Sequence, residues 1–197
     1  MDPFALFGLE AAPGLDEAAL KERFARMTAE SHPDKFQNAG DTEKAEVETR
    51  YAELNRAYQT LAEPRARLLA LYELSQGAKP RDVQRIPPGT MDLFIEVGKI
   101  CRTADEFLEK RGEASGALAR AALMEEEMSL QEAMQALAGR LAALGETLGA
   151  ELAALDAAWR GGKKDATALE ALYRKFSYLG RWRQQLEERE IALLTGE

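Results

Sequence analysis

Val47, Tyr51, Leu54, Tyr58 and Leu61 stand four, three, four and three residues apart. That rhythm lines up all five on one stripe of an α-helix, and the helix must bury the stripe against another element. Leu20, Phe24 and Met27 form a shorter stripe upstream, with Lys21, Arg23 and Arg26 lying largely off it. Asp16 suits the N-cap of that first helix, and Leu15 and Leu20 are placed to form a hydrophobic staple. Pro33 disfavours an α conformation in His32, so the first helix stops near Ser31. A polar connection with Asn38, Gly40 and Asp41 leads to the second helix, which begins near Asp41 or Thr42. Two stripes joined by a short polar loop imply an antiparallel hairpin. Asp2-Pro3 reads as a cap and a first-turn proline. Phe4 and Phe7 then share a face of a very short helix, ended by Gly8, that closes one side of the hairpin core.

Pro64 opens a further helix carrying Leu68, Leu71 and Tyr72 and ending near Gly77. Pro80, Pro87, Pro88 and Gly89 crowd the next segment, which is read as a domain boundary. Three more helices are expected after it. The first spans about 90–110, before Gly112, and the second runs from about 117 into the 150s, with Gly139, Gly145 and Gly149 as breakers that leave its straightness and continuity open. Gly161-Gly162 turns the chain into the third, with Leu169, Leu172, Phe176, Leu179 and Leu186 on its stripe. The expected architecture is all-α, with a helical hairpin domain at 1–76, a linker at 77–89 and a three-helix bundle at 90–197.

A net charge of −8 over 197 residues argues against nonspecific nucleic-acid binding. No stretch approaches the roughly 20 apolar residues of a membrane span, and Met1-Asp2-Pro3-Phe4 lacks the basic start of a secretion signal. The lone Cys101 fits a reducing compartment and is read as a small buried hydrophobe, so a cytoplasmic location is expected. Gly161-Gly162-Lys163-Lys164 lacks the spacing of a phosphate loop, and one histidine cannot make a His-Glu-x-x-His site. Glu125-Glu126-Glu127 reads as solvated surface. Neither a catalytic role nor a bound cofactor or metal is expected.

The sharpest local feature is His32-Pro33-Asp34-Lys35-Phe36. Proline restrains the turn and holds His32 and Asp34 in a defined relation outside the hairpin core. Asp34 is then an acceptor for a partner arginine, in a directional, charge-assisted contact. Lys21, Arg23, Arg26 and Lys35 supply a basic surface that attracts an acidic partner. In the alternative reading the segment is only a turn, with Asp34 bonded to nearby backbone.

Residues 1–75 resemble a J-domain, the module by which co-chaperones stimulate DnaK-type ATPases. The matching residues are His32-Pro33-Asp34-Lys35-Phe36, Leu54-Asn55-Arg56-Ala57-Tyr58-Gln59-Thr60-Leu61 and Pro64. Asp2-Pro3-Phe4-Ala5-Leu6-Phe7-Gly8-Leu9, with Phe36 and the helical second domain, is similar to the HscB family of iron-sulfur cluster assembly. The resemblance implies that His32, Pro33 and Asp34 stimulate the chaperone's ATPase, that Lys21, Arg23, Arg26 and Lys35 engage its acidic surface, and that Asn55, Ala57, Tyr58 and Leu61 hold the hairpin together. Ser31 stands where the family usually has an aromatic residue.

The resemblance also implies that the C-terminal helices hold an IscU-like cluster scaffold and deliver it to a DnaK/HscA-type chaperone. Two registers for that contact compete. The favoured one reads Thr90-Met91-Asp92-Leu93-Phe94-Ile95-Glu96-Val97 and makes Met91, Ile95 and Glu96 the client contacts. The other begins at Leu123-Met124 and includes Met128. Gly98 and Gln131 stand where the family has arginine in the two registers. Tyr178, in Arg174-Lys175-Phe176-Ser177-Tyr178-Leu179, matches an aromatic client contact and is expected to face outward, with Phe176 and Leu179 inward. Met91 and Ile95 could instead face the domain's own core. A co-chaperone for a different client, or a structural helical adaptor without ATPase stimulation, remain as alternative functions.

Overall fold

A computed structural model describes residues 2–36, 40–80 and 86–195, excepting the side chains of Pro33 and Asp34. The described residues form helices and connecting turns, with no strand among them. They group into two compact units, Met1–Asp82 with Ala150–Tyr173, and Val83–Gly149 with Arg174–Glu197. The division expected from sequence was consecutive along the chain, whereas this grouping adds 150–173 to the N-terminal residues. Within the expected linker, residues 81–85 lie outside the described residues.

In the first unit, α1 (Pro3–Leu6) starts at the Asp2 carboxylate, which accepts from the backbone N–H of Phe4 and Ala5 at 2.9 and 3.2 Å. Gly8 leaves this helix at a φ of +60°, which favours glycine. Asp16 caps α2 (Glu17–Glu30) by accepting from the N–H of Ala19 at 3.0 Å, and the helix ends at Ser31 as Pro33 requires. A 3₁₀ turn, Pro33–Phe36, follows, and then α3 (Asp41–Ala62). The helix α4 (Pro64–Gln76) begins with proline at its first position and ends at Gly77 at a φ of +70°. Its cap is Glu63, whose carboxylate accepts from the N–H groups of Arg65 and Ala66 at 3.0 and 2.6 Å.

Phe24 of α2 stacks on Tyr58 of α3 with centroids 4.2 Å apart, and His32 meets Tyr51 edge-on at 5.8 Å. The later residue of the first arm of the hairpin thus pairs with the earlier one of the second, which makes the helices antiparallel. Leu20, Leu54, Ala57, Leu61, Leu68 and Leu71 are buried beneath them, with Phe4 of α1 and its C-cap Phe7 closing the core.

Residues 150–173 join this unit because they hold the loop between α1 and α2. The Asp156 carboxylate accepts from the N–H of Gly14 at 2.9 Å, and Arg160 donates to the Gly14 carbonyl at 2.9 Å and to Glu10 at 3.0 Å. The Trp159 indole N–H donates to the carbonyl of Ala11 at 3.2 Å. A Cβ at position 14 would fall 2.8 Å from Asp156 Cγ, so the close approach needs glycine there. From the other side Arg67, only 3% exposed, donates through Nε to the carbonyl of Pro13 at 2.8 Å and through Nη1 to that of Leu61 at 2.5 Å. Burial lowers the pKa of its guanidinium, and Glu17, Glu63 and Asp156 oppose that shift.

The second unit contains α5 (Met91–Glu113), α6 (Ala117–Ala121) and parts of α7 (Met124–Arg160) and α8 (Ala166–Thr195). Val97, Cys101, Ala104 and Phe107 of α5 are buried, as are Leu130, Met134, Leu137 and Leu141 of α7 and Leu179, Trp182 and Leu186 of α8. Arginines tie the helices through backbone carbonyls. Arg111 donates to the carbonyls of Leu193 and Ala192 at 2.7 and 2.8 Å, in the last turn of α8 where those oxygens lack helical partners. Arg189 donates to the Cys101 carbonyl at 3.3 Å and to Asp105 at 2.9 Å. Burial pushes the Cys101 thiol pKa up, with Arg189 acting against it.

Two sequence expectations need correction. The helix α5 continues through Gly112 to Glu113. The helix expected from about 117 is divided at Ala122–Leu123, where Leu123 is buried at the bend, and no glycine or proline marks the place. The helix α7 then runs unbroken through Gly139, Gly145 and Gly149. Gly145 has a packing reason. Arg183 reaches past it to the Leu141 carbonyl at 3.1 Å, and a Cβ there would lie 2.5 Å from the guanidinium nitrogen. Gly139 meets nothing within 4 Å. Gly139→Ala should therefore raise the unfolding free energy by about 0.5–1 kcal/mol, read as a higher urea midpoint at unchanged slope.

Candidate functional site

The turn between α2 and α3 is built by local chemistry. Pro33 opens it, the N–H of Lys35 donates to the His32 carbonyl at 3.0 Å, and the Tyr51 ring backs the His32 imidazole. His32 and Lys35 are exposed. The side chains of Pro33 and Asp34, central to the sequence reading, lie outside the described residues. Lys21 and Arg26 are also exposed. Arg23 is turned the other way. Its Nη1 donates to the carbonyls of Phe7 and Gly8 at 2.7 and 2.8 Å, fastening α2 to the end of α1. The basic side chains presented to solvent on this side are therefore Lys21, Arg26 and Lys35.

The second candidate surface lies on α5. Met91, Phe94 and Ile95 are 51%, 43% and 59% exposed, while Val97, Cys101, Ala104 and Phe107 fill the core from the opposite face. Met91 and Ile95 thus do not face their own unit's core. Phe94 was missed as a site residue, although its i, i+3, i+4 spacing with Met91 and Ile95 places the three on one face. Glu96 is partly covered and ion-paired with Arg140 of α7. In the competing register Met124 and Met128 are each 60% exposed, whereas Leu123 and Leu130 are buried.

Tyr178 is half-buried. Its ring centroid lies 5.6 Å from that of Trp182, and the Arg181 guanidinium stands 5.2 Å over its face. Leu179 is buried as expected, but Phe176 is only half-buried, so the two aromatics differ less than their positions on the stripe suggest. Among the described residues no three His, Cys, Asp or Glu side chains are placed to hold a metal ion, and no helix is long and apolar enough to cross a membrane.

The antiparallel pair of α2 and α3 thus carries an exposed His32 at the turn between its members. No protein-family model matches the chain. Over 73 residues it is 42% identical to the co-chaperone protein HscB homolog of Cupriavidus taiwanensis, a match taking in 37% of this chain and 42% of that protein's length. Among solved structures it is similar to chaperone HscB from Vibrio cholerae, with a TM-score of 0.63 and 23% identity over 98% of this chain and 99% of that one. Human co-chaperone protein HscB gives a TM-score of 0.65 and 22% identity over 97% of this chain and 83% of the human chain. The match to the Cupriavidus protein thus spans less than half of either chain, and the two solved structures, at 22–23% identity, share this chain's fold.

Proposed function

We propose that the chain bridges an IscU-like iron-sulfur scaffold to a DnaK/HscA-type chaperone and stimulates that chaperone's ATPase, working in the cytoplasm and hydrolysing nothing itself. The observation that carries this reading is the 42% identity to an HscB homolog in a chain whose His32 sits exposed at the tip of the α2–α3 hairpin. In the proposed division of labour, 1–76 acts as the J-domain, 77–89 as a linker and 90–197 as the client-binding domain. His32, Pro33 and Asp34 dock the chaperone, with Lys21, Arg26 and Lys35 guiding its approach and Arg23 holding their helix in place. Met91, Ile95, Glu96 and Tyr178, joined by Phe94, receive the scaffold. The α5 register is supported by three exposed apolar side chains on one face, against the two methionines of the α7 register. Holding both partners at once raises the local concentration of client at the chaperone's substrate site.

The test is steady-state ATPase of the chaperone with this protein, with and without the scaffold. The two together should stimulate more than the sum of each alone. Additive rates would favour a different client. Ile95→Ser should weaken scaffold binding about tenfold, since it removes most of an apolar side chain's contact, while stimulation without scaffold is kept. Unchanged scaffold affinity in variants of Met91, Ile95 and Tyr178 would reject the client surface.

A further inference from the structure

We infer that Tyr51 of α3 is a positioning residue for chaperone activation, its ring holding the His32 imidazole in the orientation that docks. The inference rests on the proposed docking of the chaperone at His32. By its place on the stripe Tyr51 belongs to the hairpin core, but its ring has a different kind of partner from the rest of that stripe. Leu54 and Leu61 are fully buried, and Tyr58, two turns further along α3, stacks on Phe24 of the facing helix at 4.2 Å. Tyr51 stays half-buried, and its ring meets the imidazole of the turn at 5.8 Å with an interplanar angle of 78°. That separation and angle are those of a favourable edge-to-face aromatic pair. Tyr58 thus joins helix to helix, whereas Tyr51 joins helix to turn. The Lys35 N–H on the His32 carbonyl, at 3.0 Å, fixes the backbone of the turn, while the ring contact bears on the side-chain torsions of His32. The residue before the imidazole, Ser31, carries no ring that could do the same. Each restraint on those torsions lowers the entropy lost when a partner engages the imidazole, so the pair strengthens docking without a new contact to the chaperone.

The test measures the chaperone's ATPase across a range of concentrations of the full chain, parent and three variants, beside a proton–carbon NMR spectrum and a thermal melt of each. His32 is the chain's one histidine, so its imidazole signals are identified at sight. Tyr51→Leu keeps an apolar side chain on the stripe but removes the ring. It should raise the concentration for half-maximal stimulation about three- to tenfold, the freedom of one side chain, and leave the maximum at saturation unchanged. Its imidazole signals should move towards those of free histidine as the ring current of Tyr51 is lost. Tyr51→Phe keeps the ring and should restore both the parent's half-maximal concentration and its imidazole signals. A parental half-maximal concentration in Tyr51→Leu would overturn the inference, as would a Tyr51→Phe variant as impaired as Tyr51→Leu. A loss of maximal stimulation that follows a lowered melting temperature would overturn it too, as the mark of a tyrosine that serves the fold alone. The parent gives a check independent of any variant: a nuclear Overhauser effect between the imidazole and Tyr51 ring protons is expected, and its absence would remove the contact. His32→Gln separates the two levels. If it abolishes stimulation while Tyr51→Leu changes nothing, the inference alone falls. If His32→Gln stimulates as the parent does, docking at His32 falls with it.

Discussion

Asp34→Asn is expected to abolish stimulation of the chaperone's ATPase while leaving the helical content and melting temperature of the protein unchanged. The amide copies the shape of the carboxylate but not its charge. The turn that carries it is held by other groups: the Lys35 N–H on the His32 carbonyl at 3.0 Å, and Tyr51 behind His32. In the proposed docking the substitution removes the charged acceptor for a partner cation. A hydrogen bond to a charged group contributes about 1.5–3 kcal/mol, or roughly ten- to a hundredfold in docking affinity. Hydrolysis triggered by docking should fall at least as far. The check is chaperone turnover across a range of co-chaperone concentrations, beside a thermal melt of the variant. Stimulation that survives at parental concentrations would remove Asp34 from the docking site.

Arg67→Met should lower the unfolding free energy by about 2–4 kcal/mol, a large effect for a residue in neither proposed surface. The Leu61 carbonyl lies in the last turn of α3, where no helical N–H reaches it, and Arg67 Nη1 satisfies it at 2.5 Å. The Pro13 carbonyl takes Nε at 2.8 Å. Methionine keeps most of the aliphatic stem and its packing but donates to neither oxygen. Two bonds from a charged donor would contribute more than the range stated. Removing the desolvated cation, whose pKa burial already lowers, returns part of the loss. Urea unfolding of the parent and variant gives the difference directly. A change below about 1 kcal/mol would mean that water replaces the guanidinium at both carbonyls.

Local chemistry carried most of the fold reading. The caps at Asp2 and Asp16, the stop before Pro33, the start at Pro64 and the turns at Gly77 and Gly162 each depend on one or two neighbouring residues, and each was legible. The break at Ala122–Leu123 was not, because it comes from burying Leu123 and has no composition of its own. The grouping of 150–173 with the N-terminal residues was hidden for a similar reason. Gly14 and Asp156 are separated by 142 positions, and neither advertises the other. At the candidate surfaces, residue type and spacing marked His32, Met91 and Ile95. The placement of Arg23 depends on where a long side chain ends, which periodicity does not encode. Phe94 shares the helical spacing of Met91 and Ile95 but stands outside the contact positions of the motif.

The bonds from Asp156, Trp159 and Arg160 to the α1–α2 loop also bear on how such a molecule can be taken apart. Limited proteolysis or truncation after residue 82 would leave behind the groups that complete the loop, uncovering Ala12 and Pro13, both buried in the whole chain. A chimera that transplants only the N-terminal stretch onto another client-binding module would start with that defect. The transferable piece is discontinuous, and a faithful graft has to carry the helical turn at 150–173 along with it.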